Sequence, residues 1–280
     1  MSSFQLYNEV TALSSKHTTL EYSSSFSSAI KLLHKDLRQP IYDIYGFVRF
    51  ADEIVDTFHD FDKKVLFDQF KKDTYLALEQ KISLNPILHR LQLTYHQFNI
   101  DPQLLEAFLY SMEMDLSQHA HDEASYQKYI YGSAEVVGLM CLYIFCKGDL
   151  AQYEQLKPAA QSLGAAFQKV NFLRDIKADF EGLERVYFPN CDFNQFTEKD
   201  KLAIEADIQN DFDNALEGIK ALPLQCRFGV YVAYKYYYSL FKKIKKTKHH
   251  AILKTRIRIP DYGKVFILAK AKLRSQLNFL

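Results

Sequence analysis

The 280-residue chain carries 35 Lys and Arg against 34 Asp and Glu, and 48% of its residues are apolar. That is core material for one large domain, placed here at residues 1–280, and neither a repeat nor a low-complexity linker argues for a second. With a net charge of +1, no nucleic-acid partner is expected.

The charge is nevertheless lopsided. Beyond Glu217 stand fifteen Lys or Arg and one acid, Asp261, so a surface partner is expected at the basic end. Cys141, Cys146, Cys191 and Cys226 show no zinc spacing and read as reduced thiols of a cytoplasmic protein. The opening MSSFQLYNEV has no basic region followed by an apolar run, so no signal peptide is expected. No stretch approaches the ~20 apolar residues a bilayer span requires, and a soluble or peripheral protein is expected. Trp is absent, while Tyr and Phe number 19 and 22; most read as core, and some can wall an apolar tunnel.

Apolar residues recur at helical spacing almost throughout, which predicts an all-α chain. A first helix is expected after Thr18–Glu21. Ser23–Ser28 then precede AIKLLHKDL, where serines at a helix N-terminus either cap it or frame amide donors for an anion. Pro40 opens a helix that spaces Tyr45, Arg49, Asp52 and Asp56 about one turn apart. Amphipathic helices follow at 65–83 and 86–98, and Pro102 opens LLEAFLYSMEMDL with Leu105, Phe108 and Met112 inward. Its Asp115 reads as a solvated helix end or as a group standing behind a site. From Tyr129 to Phe145 runs the least polar helix, where Gly132, Ser133, Ala134 and Gly138 let a bound chain or a neighbouring helix come close. Helices at 158–180, 199–221 and 226–246 complete the series. KKIKKTKHH reads equally as a solvated face or as a patch for anionic lipid.

The stretch QKVNFLRDIKADFEGLERVYFP organises the chemistry. As a helix it stacks Gln168, Asn171, Asp175 and Asp179 along one face, although like charges at i, i+4 weaken a helix. Oxygen donors at one-turn spacing suit Mg²⁺, which keeps several waters and bridges to phosphates. Arg174 beside Asp175 is a candidate diphosphate clamp. One Asp-x-x-x-Asp is usually surface charge. A second copy, RFADEIVD with Asp52, Asp56 and an upstream Arg49, makes two faces that can oppose across a bundle.

YGFVRFADEIVD and QKVNFLRDIKADFEGLERVYFP resemble the two aspartate-rich signatures of the squalene/phytoene synthase family. The resemblance begins at SSSFSSAIKLL, runs through MEMDL and YIYGSAEVVGLM, and closes at RIRIP. It implies an isoprenoid-synthase-type helical bundle around a central apolar cavity. It also implies metal ligation by Asp52, Asp56, Asn171, Asp175 and Asp179, with Mn²⁺ able to replace Mg²⁺. In the family the counterparts of Ser23, Ser25 and Phe26 line the substrate site, Tyr129 stands near the reacting carbons, and Tyr238 and Arg256 belong to the pocket. Tyr45, Arg49, Gln168 and Arg174 complete the expected substrate contacts. Glu135 is a departure, because the family often has a small residue there.

The implied reaction condenses two prenyl diphosphates head to head through a cyclopropylcarbinyl diphosphate. Geranylgeranyl diphosphate and phytoene are the expected substrate and product. Farnesyl diphosphate with squalene or dehydrosqualene is the alternative, and a non-catalytic assembly or lipid-binding relative is the alternative of another class. No Gly-x-Gly-x-x-Gly turn exists, and no nicotinamide cofactor is expected. The expected location is cytoplasmic, peripheral at the inner membrane face through the basic end.

Overall fold

The computed structural model describes residues 2–117, 121–182, 187–189, 196–253 and 256–276; for 177–182, 261, 265 and 273–276 only the backbone is described. Among them every regular element is helical, as the spacing predicts. Helix α1 (Ser3–Tyr22) starts from a capping box: the Ser2 hydroxyl accepts from the Gln5 amide, and the Gln5 side chain accepts from the Ser2 amide. The start expected after Thr18–Glu21 falls near its end. TALSSKHTT is weak helical text, but Thr11, Ser15 and Thr19 are buried against the bundle, and packing overrides propensity.

Ser23 adopts an extended conformation and caps the short α2 (Ser24–Ile30), accepting from the Phe26 amide at 3.1 Å. Helix α3 (Lys35–Asp56) begins before Pro40, which lies inside it and deletes one hydrogen bond near its start. Asp62, Asn85 and Asp101 cap α4 (Lys63–Gln80), α5 (Pro86–Phe98) and α6 (Pro102–Asp115). Phe47 of α3 meets Phe70 of α4 at 5.6 Å and Phe108 of α6 at 5.3 Å, the aromatic heart of this half. Asp43, fully buried, takes Arg90 at 2.9 Å and Thr94 at 2.8 Å, which pins α3 to α5.

Helix α7 (Glu123–Ile130) continues through a π-helical turn (Tyr131–Glu135) into α8 (Val136–Cys146). A Cβ on Gly132 would lie 2.5 Å from the Ala107 carbonyl oxygen, so glycine is what lets α6 approach here. The whole rod, Glu123–Cys146, spans 24 residues and holds an 18-residue window of mean hydropathy 1.5, so by length and composition it passes for a bilayer span, against expectation. It packs between α6 and the next helix, and a helix enclosed by protein is apolar all round. That neighbour, α9 (Leu150–Gly182), carries Pro158 within it and starts earlier than the predicted 158. Its Lys169, 6% exposed, bonds Asp211 at 2.8 Å as well as Asp207, which fastens it to α10 (Glu198–Ala221). Helices α11 (Leu224–Lys245), α12 (His249–Ile252) and α13 (Asp261–Gln276) follow; the last two were not foreseen. Cys141, Cys146 and Cys226 are free thiols, as expected, and Cys191 lies outside the described residues.

Candidate active site

Helices α2, α3, α8, α9 and α11 share one cavity of about 660 Å³. Burial orders its wall. Leu33, Leu142, Leu156 and Ile219 are at most 4% exposed, so the apolar end is deep. The Arg49, Arg174 and Arg256 side chains are 28%, 23% and 50% exposed, so the charged end is the mouth. Tyr45, Arg49, Asp52 and Asp56 reach that cavity from α3, and Gln168, Asn171, Arg174 and Asp175 reach it from α9. The two faces predicted from spacing therefore meet on one cavity. The Asp179 side chain lies outside what is described, although α9 runs through its position.

The mouth is a network of opposed charges. Arg174 Nε lies 3.0 and 3.1 Å from the two Asp175 oxygens, and Arg256 Nε closes on the same carboxylate at 2.7 Å. Arg49 pairs with Glu53 on its own helix and lies 4.4 Å from the centre of the Tyr22 ring. Asn171 Oδ1 is buried with no hydrogen-bond partner, while its side chain bonds the Tyr237 hydroxyl. A buried amide oxygen left open beside carboxylates fits a hard cation. Among the described residues no three His, Cys, Asp or Glu side chains stand close enough to hold an ion alone. The donor set thus fits an ion that shares its shell with water and phosphate oxygens, as Mg²⁺ does.

Behind the mouth stand aromatic walls. The Phe26 ring lies 5.9 Å from Tyr45, 6.0 Å from Phe167 and 5.7 Å from Tyr237. Tyr45 bonds Ser23, and burial pushes its phenol up to about 12. On the other side Phe172 stacks on Tyr187 at 4.0 Å, with Tyr129 5.3 Å from Tyr187. The Tyr129 hydroxyl donates to Asp115 at 2.7 Å. Burial, and then the Asp115 charge, holds that phenol well above its ordinary range. Asp115 is 8% exposed and lines the cavity, so it stands behind the site and is no solvated helix end.

Two expected residues stand elsewhere, and Glu135 gains a role. Ser25 does not line the cavity; Ser23, the cap, points there in its place. Tyr238 faces α10, its ring 5.2 Å from Phe212, and Tyr237 is the cavity residue. Helical phase carried the signal, because Gly229, Val230, Ala233 and Tyr237 make one stripe of α11. Glu135 turns away from the cavity and accepts from Gln161 of α9 at 2.8 Å, so the departure from the family pattern is a pin between helices. The small residues serve both predicted ends. Ser133, Ala134 and Gly138 line the cavity, and a Cβ on Gly164 would lie 2.6 Å from the Ala134 carbonyl oxygen.

Comparison with known proteins agrees with this arrangement. The sequence model of the family described as squalene/phytoene synthase matches residues 19–262. A presqualene diphosphate synthase of Rhodopseudomonas palustris is 31% identical over 176 residues, covering 62% of this chain and 61% of that protein. A phytoene synthase of Arthrospira platensis is 26% identical, covering 94% and 92%. Among solved structures, a dehydrosqualene synthase superposes with a TM-score of 0.85 over 99% of this chain and all of the other, at 21% identity. A squalene synthase from Alicyclobacillus acidocaldarius gives 0.74 over 86% and 95%, at 19% identity. At such identities the structures speak to the fold, which is that of these synthases.

Proposed function

The chain belongs to the squalene/phytoene synthase family and is a head-to-head prenyl transferase, and we propose that it joins two geranylgeranyl diphosphates into phytoene. The observation that carries this reading is the pair of oxygen-donor faces, from α3 and α9, opposed at the mouth of one apolar cavity. Two features support the longer substrate. Ten of the cavity-lining residues are Gly or Ala, which keeps the wall thin. The Arthrospira phytoene synthase also aligns over 94% of the chain.

In this reading Asp52 and Asp56 on one side, with Asn171, Asp175 and Asp179 on the other, would hold Mg²⁺ or Mn²⁺. When bound, the ion would supply positive charge for the pyrophosphate leaving group. Arg49, Arg174 and Arg256 grip the diphosphate oxygens. Phe26, Phe167, Phe172 and Tyr237 keep water from the electron-poor carbons and turn π faces towards them. Tyr129, its phenol kept neutral by burial and oriented by Asp115, positions the reacting ends.

No reductant is required on this reading. Incubation with C15 and C20 diphosphates plus Mg²⁺, followed by product mass, tests it; a C40 hydrocarbon formed without NADPH is expected. A C30 product that appears only with NADPH would sink the proposal. The second reading, two farnesyl diphosphates, is favoured by the 31% identity to a presqualene diphosphate synthase. We also propose peripheral contact with an anionic membrane on the cytoplasmic side. The excess of basic residues beyond Glu217 and the free thiols support it.

A further inference from the structure

The basic run does not form one surface. Lys242 Nζ lies 4.6 Å from the Tyr238 ring centre, on the side of α11 that meets Phe212 of α10. Lys243 Nζ turns the other way and donates to the Arg258 carbonyl at 2.6 Å. Lys243, Arg258 and Lys264 come from α11, the connecting segment and α13, and they ring a second hollow of about 490 Å³. Its remaining walls are Ile259 and Pro260, so no carboxylate lines it among the described residues. One helical turn apart on α13, Tyr262 and Phe266 are 80% and 70% exposed. Lys264 also donates to Ser24 Oγ at 2.6 Å, and Ser24 adjoins Ser23 of the main cavity wall. Arg256, two residues before Arg258, stands at the cavity mouth. The hollow and the aromatic pair therefore border the entrance.

We infer that this face docks on an anionic lipid bilayer, with the Lys243–Arg258–Lys264 hollow taking a lipid phosphate while Tyr262 and Phe266 enter the headgroup boundary. Charge complementarity names the occupant. Three cations converge with no acid among the described lining residues, in a segment where basic residues outnumber acids fifteen to one, and a membrane surface rich in anionic lipid attracts each of them. Aromatic side chains flanked by lysine settle where one end of the ring is wet and the other greasy. The inference rests on the transferase reading in one respect: prenyl tails and a hydrocarbon product are themselves lipids, and a mouth held at the bilayer receives and releases them directly.

The test is co-sedimentation of the whole chain with phosphatidylcholine vesicles, with and without phosphatidylglycerol. The wild type should bind only the anionic vesicles. Arg258→Gln with Lys264→Gln should lower that partition on the order of thirtyfold, as expected for two cations at the surface. Tyr262→Ser with Phe266→Ser should lower it at least tenfold, and Lys242→Gln should stay within twofold. Turnover in detergent should be unchanged in every variant, so failure of the enzymatic reading is scored separately. Because Lys264 also bonds Ser24, single Arg258→Gln guards against a folding artefact and should give about fivefold. Equal partition of the double-charge variant and wild type overturns the inference. So does displacement from vesicles by inorganic pyrophosphate with an indifferent aromatic variant, which marks a free-phosphate site.

Discussion

On α3 the acidic face is furnished locally: Arg49, which reaches the mouth with Asp52 and Asp56, pairs with Glu53 of the same helix. On α9 Asp175 is held by its neighbour Arg174 and also from far away, gripped at 2.7 Å by Arg256, 81 positions along the chain. Helix α9 is itself seated by Lys169 between two α10 aspartates and by the Glu135–Gln161 bond. The α3 arginine is tied within its own helix, whereas Asp175 of α9 adds a tertiary partner to its local one. Changes beside α3 should thus act locally, whereas changes remote from α9 should reach its metal face.

The largest effect tests what the two faces have in common. Asp52→Asn and Asp175→Asn should each keep the fold and lower turnover on the order of 10²–10³, the usual cost of losing one charge-stabilising contact. Asp73→Asn, in neither motif, should behave as wild type. If both motif variants turn over near the wild-type rate, these aspartates are ordinary surface charge and the comparison collapses.

Lys169→Met probes the seat of α9. Breaking a buried ion pair by removing one partner costs about 3 kcal/mol, the low end being apt because Asp207 is half exposed. The melting temperature should fall by roughly 6–12 °C, with an accompanying rise in the Mg²⁺ concentration needed for half-maximal rate. An unaltered Mg²⁺ requirement would mean that the seat stabilises the bundle without tuning the site.

Arg256→Gln releases the remote hold on Asp175 alone. With that side chain half exposed, solvent screening limits the loss to about tenfold in kcat/KM, carried by KM for the diphosphate. A change confined to kcat would contradict a binding role.

The smallest effect concerns Glu135. Burial, reinforced by Asp211, holds its carboxyl above the usual range against the Gln161 bond and Lys169. The folded chain therefore binds this proton more readily than the unfolded one. Stability tied to it is whole below the unfolded value of 4.5 and declines as pH climbs through the raised one. Glu135→Gln removes the decline, so the variant's melting temperature should gain on wild type between pH 5 and pH 8. A gap that is flat across that range counts against the assignment.

Much of this was legible because helices write their faces at fixed intervals. Asp52 with Asp56, and Asn171 with Asp175, could be placed on shared faces from spacing alone, and the extent of α5 followed from Asn85 and Pro86. What spacing misses is phase and company. The family's spacing to RIRIP points to Tyr238, whereas the Gly229–Ala233 stripe puts its neighbour Tyr237 on the cavity. Asp115 looked solvated until Tyr129 came to meet it from another helix. The grip of Arg256 on Asp175 depends on how the chain returns after α12, which no local pattern encodes. The start of α1 was hidden because its serines and threonines are stabilised by burial they acquire only in the bundle.

The π-helical turn at Tyr131–Glu135 constrains how this segment can change length. In an unbroken α-helix, Tyr129 and Val137 would differ by about 80° in azimuth, since each residue advances about 100°. With one residue absorbed by the wider turn they count as seven apart, within about 20° of alignment, and both line the cavity. The turn therefore works as a spliced-in spacer. Deleting one residue of the turn, such as Ser133, would leave a plain helix in which Tyr129 and Val137 are truly seven apart and still aligned, whereas a regular ladder at the present length would swing Tyr129 about 100° off the cavity. Regularity and alignment are mutually exclusive along this rod only at its present length, so the turn is where it can lose one residue and keep Tyr129 on the cavity.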